Sequence, residues 1–378
     1  MASFQGYSKD MNKLYIWEQN GWPFLTWDNK ELSPLLGEIR NRQGVLTGKV
    51  SLLGSELKKQ KLHQTVISEI MASARIEGKQ IDEELVLITT GQYLSKKKFQ
   101  LTETGDPSVG ASQVFTDALY NHNQTITAER LFLWKHALEG KTGNNRSDMG
   151  WVEVDSVFGT IAPKPAERKM EYLKIPTPVN ITHEMKTFLT WLNTIHPTDP
   201  VIKAGVAYLR LLLIRPFEQQ NGRIARNIAT VFLLRADNLP ELFYGMSAQI
   251  ENNRSQYNEI LLHTQTGSTD ITEWLRWFLY CLGRALDKAE ATLLHALKKS
   301  RFFDHYRLQS LNDRQLQTLD LLWDGVDGKL TTTVYGSMHQ CSQDTALRDI
   351  QDMIAKNIIR KEPFGGRSTS YCLNKENY

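Results

Sequence analysis

Cysteine is scarce in this chain. Only Cys281, Cys341 and Cys372 occur in 378 residues, far apart and without a C-x-x-C pair, which argues against a disulfide framework or a thiolate zinc cluster. Three isolated buried thiols are the expectation. Long apolar runs are also missing, so no stretch is expected to span a bilayer and no membrane partner is expected. The opening Met1-Ala-Ser-Phe-Gln5 lacks the basic-then-apolar pattern of an export signal, which makes the cytoplasm the expected location. Charge of one sign is lacking too: 45 Lys and Arg stand against 42 Asp and Glu, a net charge of +3. That balance gives no strong overall field for nucleic acid or lipid. His183-Glu184 has no second histidine at metal-ligand spacing, so His183 reads as a surface or capping residue.

What is present is ordinary globular material, 41% apolar and 23% charged, long enough for two or three domains. Apolar residues recur at helical spacing over most of the length, and the expected class is mainly α. Helices are expected over 32–53 and 57–76, with Gly54 between them and Gly78 as a C-terminal cap. Trp17, Trp22-Pro23-Phe24 and Trp27 form an aromatic cluster that reads as a packing plug. Residues 95–112 read as a polar surface loop. Helices are then expected over 114–120, 128–137 with Thr127 as N-cap, 182–193 and 202–214. Val152, Val154 and Val157 alternate as in a strand before Pro163 and Pro165 interrupt the pattern.

The stretch that organises the chain is Leu212-Leu-Ile-Arg-Pro-Phe-Glu-Gln-Gln-Asn-Gly-Arg-Ile-Ala-Arg226. Pro216 should end one helix, Asn221-Gly222 should form a turn open to positive φ, and a second helix should run from Ile224 to Leu234. Arg223 and Arg226 would then sit in its first turns. The amino end of a helix already carries positive partial charge and unpaired N–H groups, so two arginines there call for an anion, of which phosphate is the natural candidate.

Arg215-Pro-Phe-Glu-Gln-Gln-Asn-Gly-Arg-Ile-Ala-Arg226 resembles the signature of the Fic (Fido) family, His-Pro-Phe-x-Asp/Glu-Gly-Asn-Gly-Arg-x-x-Arg, most of whose members transfer AMP from ATP to protein hydroxyls. The resemblance implies a Fic-fold helical core with a small β-hairpin flap near 143–172, where an unknown target protein would bind by strand addition. It implies nucleotide or anion contacts at Asn221, Gly222, Arg223 and Arg226, with ATP or another nucleotide as ligand. Three positions differ: Arg215 stands at the family's catalytic histidine, Gln219 at its acidic metal ligand and Gln220 at a glycine. An arginine does not serve as a base at neutral pH, and a neutral carbonyl suits Mg²⁺ poorly. Binding without turnover is therefore the leading expectation, with an active transferase using an unusual base as the alternative.

Ser73-Ala-Arg-Ile-Glu77-Gly78 resembles the family's inhibitory motif, Ser/Thr-x-x-x-Glu-Gly/Asn, which implies that Glu77 reaches Arg226 and that Ser73 and Gly78 complete the motif. Segments 242–250, 254–257 and 274–277 match the same subfamily pattern, and the resemblance offers Tyr257 as a lining of the base pocket. Helices over 312–322, 332–338 and 342–357, followed by two short strands, resemble a winged helix-turn-helix. Arg360, Lys361 and Arg367 would be its DNA contacts, although the segment has no basic excess; a nucleotide-sensing DNA regulator and a homodimer contact are the alternatives this implies. The expected order is 1–110 for a helical region carrying the inhibitory motif, 111–300 for the Fic core and 301–378 for the winged helix.

Overall fold

A computed structural model of the chain describes residues 15–96, 98–141, 150–152, 181–237, 241–306, 310–325, 329–362 and 369–374. The fold is mainly helical, with one small antiparallel hairpin among the described residues. By compactness it divides into Met1–Glu290 and Ala291–Tyr378.

The first helices begin where short polar side chains supply acceptors for free amide groups. Asp28 caps α1 (Asn29–Ser51) by accepting from the N–H groups of Lys30 and Glu31 at 2.8 and 3.2 Å. Gly54 separates it from α2 (Ser55–Ile76), as the sequence suggests. Asp82 caps α3 (Glu83–Leu94). Asp106 caps α4 (Pro107–Tyr120), whose first residue is proline, and Thr127 caps α5 (Ala128–Glu139).

The polar loop expected over 95–112 ends earlier than the sequence implies. Asp106-Pro107 is an N-cap followed by a helix-opening proline, and Gly110, Ala111 and Ser112 are buried rather than exposed. Their small size is what α5 requires: a Cβ on Gly110 would lie 1.7 Å from the carbonyl oxygen of Ala137. The aromatic plug also needs revision. Trp22 donates from Nε1 to Glu184 at 3.0 Å, but Phe24 is 78% exposed and Ile16 is the buried anchor. A run of rings without periodicity carries no information on which ring turns inward.

The centre of the first unit is a helical pair, α7 (Pro200–Ile214) and α8 (Asn221–Asp237), preceded by α6 (Ile181–Asn193). Both helices of the pair are buried on nearly every side, as expected for a helix without a continuous polar face. Around them stand α9 (Ser247–Asn252), α10 (Arg254–Gln265) and α11 (Thr272–Tyr306), whose Trp274 donates from Nε1 to the carbonyl of Gly205 in α7 at 2.9 Å. Helix α11 continues past Glu290 into the second unit.

The second unit contains α12 (Asp313–Asp324), α13 (Thr332–Met338), α14 (Gln343–Ala355), β1 (Ile359–Lys361) and β2 (Tyr371–Leu373). Asn312 and Gln315 form a reciprocal capping box on α12, and Ser342 caps α14. The strands pair antiparallel with Ile359 opposite Leu373 and Lys361 opposite Tyr371. Leu319, Tyr335, Ile350, Met353 and Ile358 fill the core beneath them. Asp349 is buried there with its charge met by Arg314 at 2.9 Å and by the hydroxyl of Tyr335 at 3.0 Å. Arg360 and Lys361 are exposed on β1. Arg367, Lys97 and the expected flap beyond Val152 lie outside the described residues. No helix among the described residues is long and apolar enough to cross a membrane.

Candidate anion-binding site

The α7–α8 connection is held by two residues in left-handed backbone geometry and by one asparagine. Arg215 ends α7 at φ 53° and ψ 60°, with its N–H donating to the carbonyl of Leu211 at 2.9 Å. Gln220 follows at φ 70°, and its carbonyl accepts the first helical hydrogen bond of α8 from the N–H of Ile224 at 2.9 Å. Asn221, the next residue, closes the turn, accepting from the N–H of Phe217 at 3.1 Å and donating to that residue's carbonyl at 2.6 Å.

This corrects the expected geometry. Helix α8 starts at Asn221 rather than Ile224, and positive φ falls on Arg215 and Gln220 rather than on Gly222. Each such residue carries a backbone cost of about 1–2 kcal/mol that glycine would avoid. Gly222 serves by having no side chain: a Cβ there would lie 1.8 Å from Oε1 of Glu77 and 3.1 Å from Nη1 of Arg226. A carboxylate thus rests directly against the first turn of α8, where unpaired amide groups and the helix dipole favour negative charge.

Helix α2 supplies that carboxylate. Glu69, Ser73 and Glu77 recur every four residues and therefore share one face. Glu69 is buried and accepts from the N–H of Ser247, with Oε1 at 3.1 Å and Oε2 at 2.9 Å, which holds the start of α9. Burial raises the Glu69 pKa, against the lowering effect of the Ser247 hydrogen bonds and of Arg226. Arg226 donates from Nε to Ser73 Oγ at 2.9 Å and from Nη2 to the Ser73 carbonyl at 2.9 Å and Glu77 Oε1 at 3.1 Å. Its Nη1 has no hydrogen-bond partner among the described residues.

Positive charge exceeds negative charge here. Burial depresses the Arg223 guanidinium to about 10, with Glu77 opposing and Arg226 reinforcing the shift. Burial also lowers Arg215, again against Glu77. For Arg226 burial pulls downward, but Tyr208 and Glu77 outweigh it and the net direction is up. Glu77 is thus the common counter-charge of three arginines. A fourth cation, Lys79, donates from Nζ to Gln219 Oε1 at 2.7 Å. Arg223 donates a long hydrogen bond from Nη1 to Gln220 Oε1 at 3.3 Å.

The structure brings Ser73, Glu77, Gly78, Arg215, Gln219, Asn221, Gly222, Arg223 and Arg226 into one neighbourhood. Tyr257 is 6% exposed and lies in an aromatic stack, its ring centroid 6.3 Å from that of Tyr208 and 5.5 Å from that of Trp277. Arg360 and Lys361 belong to the second unit. Sequence reasoning missed Glu69, Lys79 and Tyr208. The four-residue spacing from Glu69 through Ser73 to Glu77 could have revealed the first, whereas Lys79 carries no local signal.

A helical core built on the α7–α8 pair, with an arginine-rich turn between them and a glutamate reaching in from an earlier helix, is the arrangement that the resemblance to the Fic family implies. The comparisons agree: the Fic/DOC family matches over residues 125–233, and a domain of unknown function, DUF4172, over residues 15–89. Residues 125–233 of the chain thus resemble the Fic/DOC family. It is 31% identical over 114 residues to a protein adenylyltransferase Fic of Drosophila virilis, an alignment covering 30% of this chain and 22% of the relative. The corresponding protein of Nematostella vectensis is 29% identical over 114 residues, covering 30% of this chain and 25% of its own length. The chain thus spans about a fifth to a quarter of the curated relatives it matches. Among solved structures, a Fic family protein from Desulfovibrio desulfuricans G20 superposes with a TM-score of 0.50 at 16% identity, covering 91% of this chain and 97% of that one. That likeness extends the shared fold over most of the length.

Proposed function

We propose that this Fic-like protein binds a nucleotide or phosphate in a regulatory role, and that AMP transfer is lost or strongly reduced. The observation that carries the reading is the gathering of Arg215, Arg223 and Arg226 around Glu77, with Lys79 bound to Gln219 in the same turn. Such a site is over-supplied with donors for phosphate oxygens.

Adenylyl transfer needs more than binding. A hydroxyl oxygen must attack the α-phosphorus, the bond to the β-phosphate must break, and a base must take the hydroxyl proton as diphosphate leaves. At the position facing that chemistry stands Arg215, whose guanidinium stays protonated at neutral pH even when burial lowers its pKa. Divalent metal fits no better. Mg²⁺ favours charged oxygen ligands, whereas Gln219 offers a neutral carbonyl that already accepts from an ammonium.

Incubation of the full chain with labelled ATP and Mg²⁺ tests the reading, with Glu77→Ala in every sample so that Arg226 is released. The expected result is labelling only when Arg215→His and Gln219→Asp are also present. Robust labelling of itself or of a target by the chain that keeps Arg215 and Gln219 overturns it. A second reading, a nucleotide-sensing DNA regulator, draws on the helices α12 to α14, the β1–β2 hairpin and the exposed Arg360 and Lys361; it requires salt-dependent binding to duplex DNA.

A further inference from the structure

The residue that follows the inhibitory motif has its own place in the site. Gly78 turns the end of α2 at φ 64°, its N–H donates to the carbonyl of Arg75 at 3.0 Å, and the N–H of Lys79 donates to the carbonyl of Ala74 at 3.0 Å. This is a two-bond helix-terminating cap, and it fixes the direction in which Lys79 leaves the chain. The side chain then crosses to the α7–α8 turn, where Nζ meets Gln219 Oε1 at 2.7 Å.

We propose that Lys79 takes the place of a divalent cation, so that this site holds the phosphate chain of a nucleoside di- or triphosphate without metal. The inference rests on the nucleotide-binding reading above and specifies its chemistry. Gln219 and Lys79 complement each other: a neutral carbonyl suits an ammonium donor, and a fixed ammonium at 2.7 Å repels a metal ion from the same oxygen. A second, independent feature points to a ligand at the same place. Arg226 is 5% exposed, yet its Nη1 has no hydrogen-bond partner among the described residues and faces Gly222 in the first turn of α8. A buried donor of this kind is costly unless an acceptor reaches it.

The two halves of the device sit on one helix end. Glu77 is the internal anion that holds Arg226, and Lys79, two residues later, is the internal cation at Gln219. The cap that positions Lys79 is made by backbone groups, so it survives when a phosphate displaces the Glu77 side chain. An arriving phosphate chain therefore exchanges one carboxylate for its own oxygens and finds Arg215, Arg223, Arg226 and Lys79 already in place.

Calorimetric titration of the full chain with ATP and with ADP, in EDTA and in MgCl₂, tests this. Glu77→Ala is used as parent to remove the competing carboxylate. Affinity in EDTA is expected to lie within about threefold of that in MgCl₂. Lys79→Gln should weaken binding in EDTA by about tenfold, the loss of one charge-assisted contact, and Lys79→Arg should restore most of it. Because Lys79 is only partly buried, its substitution leaves the core intact, and rescue by arginine separates charge from folding. Binding that strengthens tenfold or more with Mg²⁺, or that is the same in Lys79→Gln as in the parent, overturns the role of Lys79 and leaves nucleotide binding standing. Absence of binding to either nucleotide in both buffers overturns both.

Discussion

Gly222→Ala isolates the contact on which the resting site depends, because two effects of opposite sign compete at that position. Gly222 lies in an ordinary helical turn, so alanine should by itself stabilise α8 by about 0.5–1 kcal/mol. The added Cβ, however, would sit 1.8 Å from Oε1 and 3.0 Å from Cδ of Glu77, an overlap that only movement of the carboxylate can relieve. The carboxylate terminates a flexible side chain that is 21% exposed, so it can swing outward. What is lost is its hydrogen bond to Arg226, about 1.5–3 kcal/mol for a charged pair and nearer the lower end here, since Arg226 keeps both contacts to Ser73. The net expectation is destabilisation by about 1 kcal/mol in the native chain and stabilisation by about 0.5–1 kcal/mol in a Glu77→Ala background, where Arg226 Nη1, 3.1 Å from the added Cβ, is released from Glu77 and can shift. Hydrogen exchange of the α8 amides reads this locally, without assuming that the two units unfold together. Protection should fall about fivefold in the first comparison and rise about threefold in the second. The same sign of change in both backgrounds would refute the steric displacement of Glu77.

Two further outcomes test the surrounding frame. Burial pushes the Asp237 carboxyl up to about 6, against the lowering effects of the Tyr244 hydrogen bond and of Arg40. From the ordinary aspartate value of 3.8 up to about 6 the folded chain binds more proton than the unfolded one, so stability must fall as pH rises through that window, by about 2–3 kcal/mol in total. Asp237→Asn keeps an acceptor for the Tyr244 hydroxyl and should remove this slope, which urea unfolding at several pH values would reveal as a variant advantage that grows up to about pH 6 and is then constant. Gly110→Ala has no flexible neighbour to displace, since its Cβ would meet the backbone carbonyl of Ala137 at 1.7 Å. Separation of α4 from α5 should cost at least about 2 kcal/mol, measured as a lower unfolding midpoint; a midpoint equal to that of the native chain would show that the helices can part without cost.

Much of the helical frame is legible because its signals are local. Gly54, Gly78 and Thr127 act at the ends where their side chains or their lack of one suit the backbone. Local reading failed where the same residue type can serve two purposes. Asp106-Pro107 looks like a loop until the small residues after it are seen against α5, and Gly222 looks like a flexible turn until Glu77 is seen against it. The arginines of the turn and the glutamate of α2 were recognisable from spacing and chemistry together with the family signature. Lys79 was not, because its partner Gln219 lies far away in the chain.

The sequence by itself determined the helical class, the order of the elements and the positive character of the Arg215–Arg226 turn, since periodicity, caps and residue charge are properties of short stretches. Only the tertiary structure decided how that charge is balanced. It placed the end of α2 over the first turn of α8, so that Glu77 became the shared counter-charge of three arginines and Lys79 became the partner of Gln219. Electrostatic energy depends on separations of a few ångströms, and chain order does not contain those separations.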